Sequence, residues 1–578
     1  MQKGSNMEDK FKLTNLEEQE NENIEALEVE EEKIEEIQNI EVNHEVQTTE
    51  EPKIEVNDTA DSKTKFIVMF VAITVLIIAI ASVFISSLPK KEVEKEKDKD
   101  KTPEVVEKQE EKLDFRLSGN QLQDFDINFL KLENTEKNMI YSPLSIKYAL
   151  EMINEGADGN SKKQLTSILG DYQPRKYMNN QNMSFANAVY INNLYKNEVK
   201  DTYTKNLVDK YYAEVIYDSF ESAGNINKWV SDRTFGLIDN LLTDGQVKNN
   251  KFFLVNALAI DMEWNKVIQA RTSKDGIYSV NFLHEKYNDY ISNLSSGYVH
   301  KIKFDNKEKE VEVLTIGASI NNYDIVEKLG EENIKNTITK EYNEFLSNGG
   351  CGNDLDTETY VAKFIKELDS NYKTVKVSTD FEFYVDENVK VFAKDLKTYS
   401  GTTLRYVGIM PVKEELTTFV EKTTSKEINQ MLINLKTIEA NNFKEGVVTK
   451  IKGYIPTFSF DYELSLVNDL KKMGITDIFD KDKADLSLLT KTPNTFIDTA
   501  VHKANIKFSN EGIKAAAATA IGAAGAASCG FEHLYDVPVE EIDLTFDKPY
   551  MFFIQDKNTK EVWFTGTVYE PNETLTNN

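Results

Sequence analysis

At 578 residues with 40% apolar side chains, the chain is too long for one ordinary domain and too apolar to be disordered throughout. Asp and Glu outnumber Lys and Arg by 97 to 68, and the net charge of −29 repels phosphate backbones, which disfavours nucleic-acid partners. Two cysteines, Cys351 and Cys529, exclude a disulfide-dense scaffold and a four-cysteine zinc site.

Residues 1–64 carry 20 Asp/Glu against 6 Lys, about half of the whole net charge. Runs such as EVEEE (28–32) cannot bury enough apolar surface to offset chain ordering, so a disordered acidic tail is expected. Ile24, Leu27, Ile34, Ile37 and Ile40 hint at a helical stripe that a partner could induce, but no heptad persists. Residues 66–88 (FIVMFVAITVLIIAIASVFISSL) are 23 positions without a charge, bounded by Lys65 and by Lys90 and Lys91. At about 1.5 Å per residue, such a helix crosses a hydrocarbon core of about 30 Å. A buried core helix would not stay uncharged all round for so long. A cleaved signal peptide would begin with a short basic region, not with an acidic tail. One transmembrane helix is therefore predicted.

Lysines near this span number three before it (Lys53, Lys63, Lys65) and six after it (Lys90, Lys91, Lys95, Lys97, Lys99, Lys101). That count alone would put the carboxyl side in the cytoplasm. Residues 89–116 alternate Lys with Glu and Asp and have no apolar face, which reads as a charged linker. From 118 to 572 the composition is globular. Helix-period segments such as 226–242 mix with β-branched and aromatic runs such as 447–460 and 550–568. The class is α+β, with strands outside strict βαβ alternation.

No HExxH, GxSxG or Walker-A pattern occurs, and the five histidines form no pair at metal-ligand spacing. No enzyme, metal or cofactor is expected. A different set of segments is present, in a fixed order. NMIYSPLSIKYAL (138–150) leads to GADGNSKKQL (156–165), FANAVYI (185–191) and YYAEV (211–215). INKWVSDRTFGLIDNLL (226–242) and FFLVNALAIDMEW (252–264) follow, then IPTFSFDYELSLVNDLKKMGITDIF (455–479) and ADLSLL (484–489). FIDTAVHKANIKFSNEGIKAAAATA (496–520), KPYMFFIQD (548–556) and FTGTVYEP (564–571) close the series. In this order they resemble the serpin family, of bacterial type, along nearly the whole globular part. The resemblance implies three β-sheets, about nine helices and an exposed reactive-centre loop.

Two departures stand out. Trp264 to Pro411 spans 147 residues, more than twice the family's usual length. The surplus, at about 271–377, includes Cys351 and is expected to be a surface insertion, with a small inserted subdomain as the alternative. Met262 and Glu263 replace the usual Lys-Gly before Trp264.

The resemblance places a hinge at Glu511, Gly512, Ile513, Lys514, Ala515, Ala516, Ala517, Ala518 and Thr519. An Ala-rich helix is the competing reading, which Gly512 and Gly522 weaken. In inhibitory serpins this hinge zips into the middle of a sheet. A central strand is buried on both faces, so charged inward side chains and proline are excluded, whereas alanines fit a narrow gap. Strand alternation sets Ile513, Ala515, Ala517 and Thr519 on one face. If Ile513 faces inward, Lys514 faces solvent. Ser142, Pro143, Ser145, Asn256 and His502 match the family's shutter beneath the opening sheet.

Family spacing puts the reactive bond at Ala526–Ala527. The long loop leaves Cys529, Phe531, Leu534 and Tyr535 as alternatives, and no Lys or Arg lies between Lys514 and Lys548. The implied function is suicide inhibition of an elastase-, subtilisin- or chymotrypsin-like serine protease, with a cysteine protease as second candidate; Cys529 is read as a free thiol, with a bridge to Cys351 as the weaker alternative. The alternative is a non-inhibitory serpin, a surface binding or sensing module. Such bait is useful where hostile proteases are. The expected location is thus the cell membrane, single-pass, with the amino terminus cytoplasmic and the serpin domain extracellular.

Overall fold

A computed structural model describes residues 116–571, apart from 249, 266–298, 352–354, 378–379, 514–530, 532 and 534. The expected tail (1–64), membrane span (66–88) and nearly all of the linker (89–116) lie outside the described residues. Among the described residues no helix is long and apolar enough to cross a membrane.

Helix α1 (Asp124–Glu133) leads through β1 (Met139–Tyr141) into α2 (Pro143–Gly156) and α3 (Gly159–Leu169). Strand β2 (Met183–Asn192), α4 (Asp201–Tyr211), β3 (Glu214–Asp218), α5 (Gly224–Arg233) and α6 (Asp244–Val247) come next. The helix expected over 226–242 thus stops at Arg233. There Asn227 folds the next segment back: its Oδ1 accepts from the Leu241 and Leu242 N–H groups at 3.0 and 2.9 Å. Strands β4 (Phe252–Ile260) and β5 (Met262–Glu263) follow on a nearly continuous chain.

β6 (Val299–Phe304) and β7 (Lys307–Asn321) form an antiparallel pair, followed by α7 (Ile325–Leu329), α8 (Glu331–Ser347), α9 (Thr357–Ser370) and β8 (Thr374–Val377). Then come β9 (Glu382–Val385), β10 (Val389–Asp395), β11 (Leu404–Pro411), α10 (Leu416–Lys422), α11 (Ser425–Ile433) and β12 (Lys436–Thr437). The chain closes with β13 (Val448–Pro456), β14 (Phe458–Ser465), α12 (Leu466–Lys472), β15 (Val501–Phe508), β16 (Gly512–Ile513), β17 (Val539–Asp543), β18 (Tyr550–Asp556) and β19 (Val562–Val568).

Three layers of sheet result. The first runs β1-β19-β18-β11-β10-β9-β12. Every residue of β11, β18 and β19 is buried, so this part of the sheet is covered on both faces. The second runs β17-β13-β7-β6, with β8 on β7. The third is in two pieces, β3-β2-β4 and β5-β16-β15-β14. Because only Asp261 separates β4 from β5, the pieces are halves of one sheet.

The stretch expected as a surface insertion at 271–377 divides differently. β6 and β7 belong to the second sheet, so they are part of the fold itself. The helices after them form a small subdomain with its own core. Ile334, Ile338 and Tyr342 recur every four residues along α8 and meet Tyr360, Phe364 and Leu368 of α9. Asp356 starts α9 by accepting the Thr359 N–H at 2.9 Å. So short a unit cannot complete a core alone. It borrows Val448, Phe531, Tyr535 and Val537 from elsewhere in the chain.

Candidate functional site: a hinge seated at the head of an open slot

Phe508 ends β15, and the chain turns back through Ser509 into β16. Ser509 ties this turn. Its Oγ donates to the Gly512 carbonyl at 3.0 Å and accepts the N–H groups of Glu511 and Gly512 at 3.3 Å. The Trp264 indole donates to the Ser509 carbonyl at 2.9 Å, and the Trp264 backbone N–H to the Glu511 carbonyl at 2.9 Å. Trp264 is itself buried against Tyr406 and Phe508.

Thus Gly512 and Ile513 are seated between two strands. Ile513 faces Phe508 on one side and Met262 on the other, while Gly512 faces Glu263. Only glycine fits at 512, since a Cβ there would lie 2.1 Å from the Met262 carbonyl oxygen. Met262, the family departure, is fully buried, and Glu263 is exposed and paired with Lys397. Ile513 points inward at 2% exposure.

Among the described residues, β4 and β15 have no strand between them beyond β16 and do not pair with each other. A narrow gap lined by Ile260, Asn505, Ile506 and Ile513 continues from the hinge. At the far end lies a cavity of about 350 Å³, lined by α2, the start of β4 and residues 494–501. The arrangement is a strand-wide slot, filled at its head by Gly512 and Ile513 and occupied below by no described residue.

The shutter lies beneath. Ser142, fully buried, caps α2: its Oγ accepts the Ser145 N–H at 3.1 Å, with Pro143 as first helical residue. The Ser142 N–H donates to His502 Nε2 at 2.8 Å. That nitrogen is an acceptor, so the ring is neutral and carries its proton on Nδ1. The structure brings Ser142, Pro143, Ser145 and His502 together. Asn256 is separate, on the opposite wall of the slot, where its Nδ2 donates to Asn187 Oδ1 at 2.6 Å. Asn187 in turn donates to the Tyr211 carbonyl at 2.9 Å. Asn256 Oδ1 is buried without a hydrogen-bond partner.

Burial pushes the His502 pKa down from 6.5 to about 4. Between these values the unfolded chain binds the proton and the folded one does not, so stability falls as pH drops from 6.5 toward 4 and is fully present above 6.5. His502 keeps partial exposure, so the contribution is at most about 3 kcal/mol. Denaturant midpoints of wild type and His502→Gln across pH 4–7 should converge toward pH 4; a constant gap would contradict the assignment.

Lys514, Ala515, Ala516, Ala517, Ala518, Thr519, Ala526, Ala527, Cys529 and Leu534 lie outside the described residues. Phe531 and Tyr535 do not. At 4% and 9% exposure they sit in the helical subdomain's core, where no protease pocket reaches them, so neither serves as bait in this fold. Cys351 is disulfide-bonded. Cys529, the chain's one other cysteine, lies outside the described residues, and with it the expected free thiol. Sequence reasoning missed Ser509 and Asn187. Asn187 had a signal, as a polar residue inside the buried run FANAVYI.

The description "Serpin (serine protease inhibitor)" belongs to the family model that matches residues 121–316 and 282–571. The leukocyte elastase inhibitors of Equus caballus and Homo sapiens are each 24% identical, over 75% and 76% of this chain and 93% and 95% of their own. An uncharacterized serpin-like protein of Methanosarcina acetivorans is 22% identical over 78% of this chain and 85% of its own. Among solved structures, native tengpin, a thermophilic serpin, matches at a TM-score of 0.51 and 21% identity, covering 77% of this chain and 92% of that one. With the slot, the hinge and the family model in agreement, the chain belongs to the serpin family of protease inhibitors and is not an enzyme.

Proposed function

We propose that this serpin traps a serine protease by suicide inhibition. The protease attacks the loop after β16 and forms an acyl-enzyme. Before water can hydrolyse it, the freed amino limb enters the slot and carries the protease with it. The seated hinge carries this reading. Continuing the register of Ile513 one residue at a time sets Ala515 between Ile506 and Ile260, and Ala517 between Ala504 and Leu258, all buried. Thr519 would arrive between His502 and Asn256, where a hydroxyl can satisfy the orphaned Asn256 oxygen. Lys514 would lie on the outward face, opposite the exposed Lys507.

The bait bond is read at Ala526–Ala527. Its small side chains suit a shallow elastase- or subtilisin-type pocket, in keeping with relatives named as elastase inhibitors. Trypsin-like enzymes need Lys or Arg to pair a buried carboxylate, and residues 515–547 offer none.

We read the protein further as bacterial-type and tethered by residues 66–88, with 1–64 in the cytoplasm and the serpin domain outside. A disulfide-bonded Cys351 suits an oxidising compartment. The test is to incubate the protein with elastase, subtilisin, chymotrypsin and trypsin and look for SDS-stable complexes. Complexes with elastase or subtilisin and none with trypsin are expected. A covalent trypsin complex, or plain cleavage by all four, would overturn the reading.

A further inference from the structure

The helical subdomain and the carboxyl limb of the loop hold each other. Phe531 inserts its ring between three others, with centroids 5.4 Å from Tyr342, 5.6 Å from Phe345 and 6.2 Å from Tyr360, all steeply inclined. Tyr342 and Tyr360 stack face to face at 3.9 Å behind it. His533 Nδ1 lies 2.5 Å from Glu341 Oε2 on α8. Tyr535 and Val537 complete the cluster. Just downstream, the Val448 N–H donates to the Pro538 carbonyl at 2.8 Å, and β17 runs parallel along β13.

We propose that α7–α9 form a clasp that fixes residues 531–537 to the body, so that the amino limb enters the slot fully only after the loop has been cut upstream of Phe531. The idea rests on the reading of 514–530 as the bait stretch. Laying the amino limb down as far as Phe252 uses residues 514–523, about 34 Å of strand. Residues 524–530 then offer at most about 25 Å for the return to a fixed Phe531. Opening the clasp adds residues 531–538 as slack. The aromatic seat and the His533–Glu341 contact withhold that slack, and insertion becomes conditional on cutting.

The full chain, Phe531→Ala and His533→Gln would be held at 37 °C and sampled with a brief subtilisin pulse. The readout is the fraction of uncut chain whose loop is still cleavable, with the melting temperature of that chain alongside. Wild type should stay cleavable. Phe531→Ala should lose cleavability more than about tenfold faster, with a rise in melting temperature, because a buried aromatic anchor is gone. His533→Gln, which leaves the aromatic seat intact, should give a smaller, several-fold acceleration, and it carries the test alone if Phe531→Ala does not fold. Loss at the wild-type rate in all of these would overturn the clasp. No trapped protease is needed for this readout. A chain that traps nothing but loses its loop faster when unclasped would sink the inhibitory reading and keep the clasp; trapping with unchanged loss would sink the clasp alone.

Discussion

Ala517→Arg is expected to turn the inhibitor into a substrate. In the register continued from Ile513, position 517 lies between Ala504 and Leu258, at 3% and 7% exposure, with no carboxylate to meet a guanidinium. Burying that unpaired charge costs several kcal/mol. About 3 kcal/mol on the insertion barrier slows it roughly a hundredfold, enough for deacylation to win. The folded protein should melt as wild type does, since no described residue occupies the slot below Ile513. Ala515→Arg should behave alike, between Ile506 and Ile260, whereas Lys514→Ala should trap normally. The measurement is the ratio of SDS-stable complex to cut chain with subtilisin. Equal ratios for all three variants and wild type would remove the insertion mechanism.

The largest stability effect is expected at Lys147→Met. Lys147 of α2 and Asp126 of α1 are fully buried, with their charged atoms 2.5 Å apart. Asp126 also accepts the Gln123 N–H at 2.8 Å, which fixes the start of α1. Burial already raises the Asp126 pKa, with Lys147 acting against it. Without the lysine the carboxyl is left unpaired in the core, at a cost of about 3–5 kcal/mol. The double variant Asp126→Leu/Lys147→Met should recover most of that loss, because two apolar groups replace a desolvated pair. Urea unfolding of the three proteins decides it. Single and double variants with the same midpoint would mean that the pair does not act as a unit.

What could be read from the sequence was whatever depends on neighbours along the chain. The alternation from Ile513 through Thr519 set which hinge residues share a face, and Ile513, the first of them, is buried. SPLS (142–145) announced a capped helix start, with Pro143 in the first turn. The helical subdomain was harder to see. The four-residue recurrence of Ile334, Ile338 and Tyr342 was present, but what makes it a core is Phe531, Tyr535 and Val537, nearly two hundred residues later. No local pattern encodes that meeting. The same holds for Trp264 and Ser509, whose hydrogen bond ties the hinge turn across 245 residues. The stretch 271–377 misled because strands of the body, β6 and β7, lie inside it beside the true addition.

Strands β17, β18 and β19 all follow the proposed bait bond in the chain. β18 pairs with β11 on one side and β19 on the other, and every residue of both β18 and β19 is buried. A cut at the proposed bond would therefore sever the main chain without releasing the carboxyl piece, which would stay in place as the middle of the first sheet. Spent protein would run as one species on a native gel and part into two bands only in denaturant.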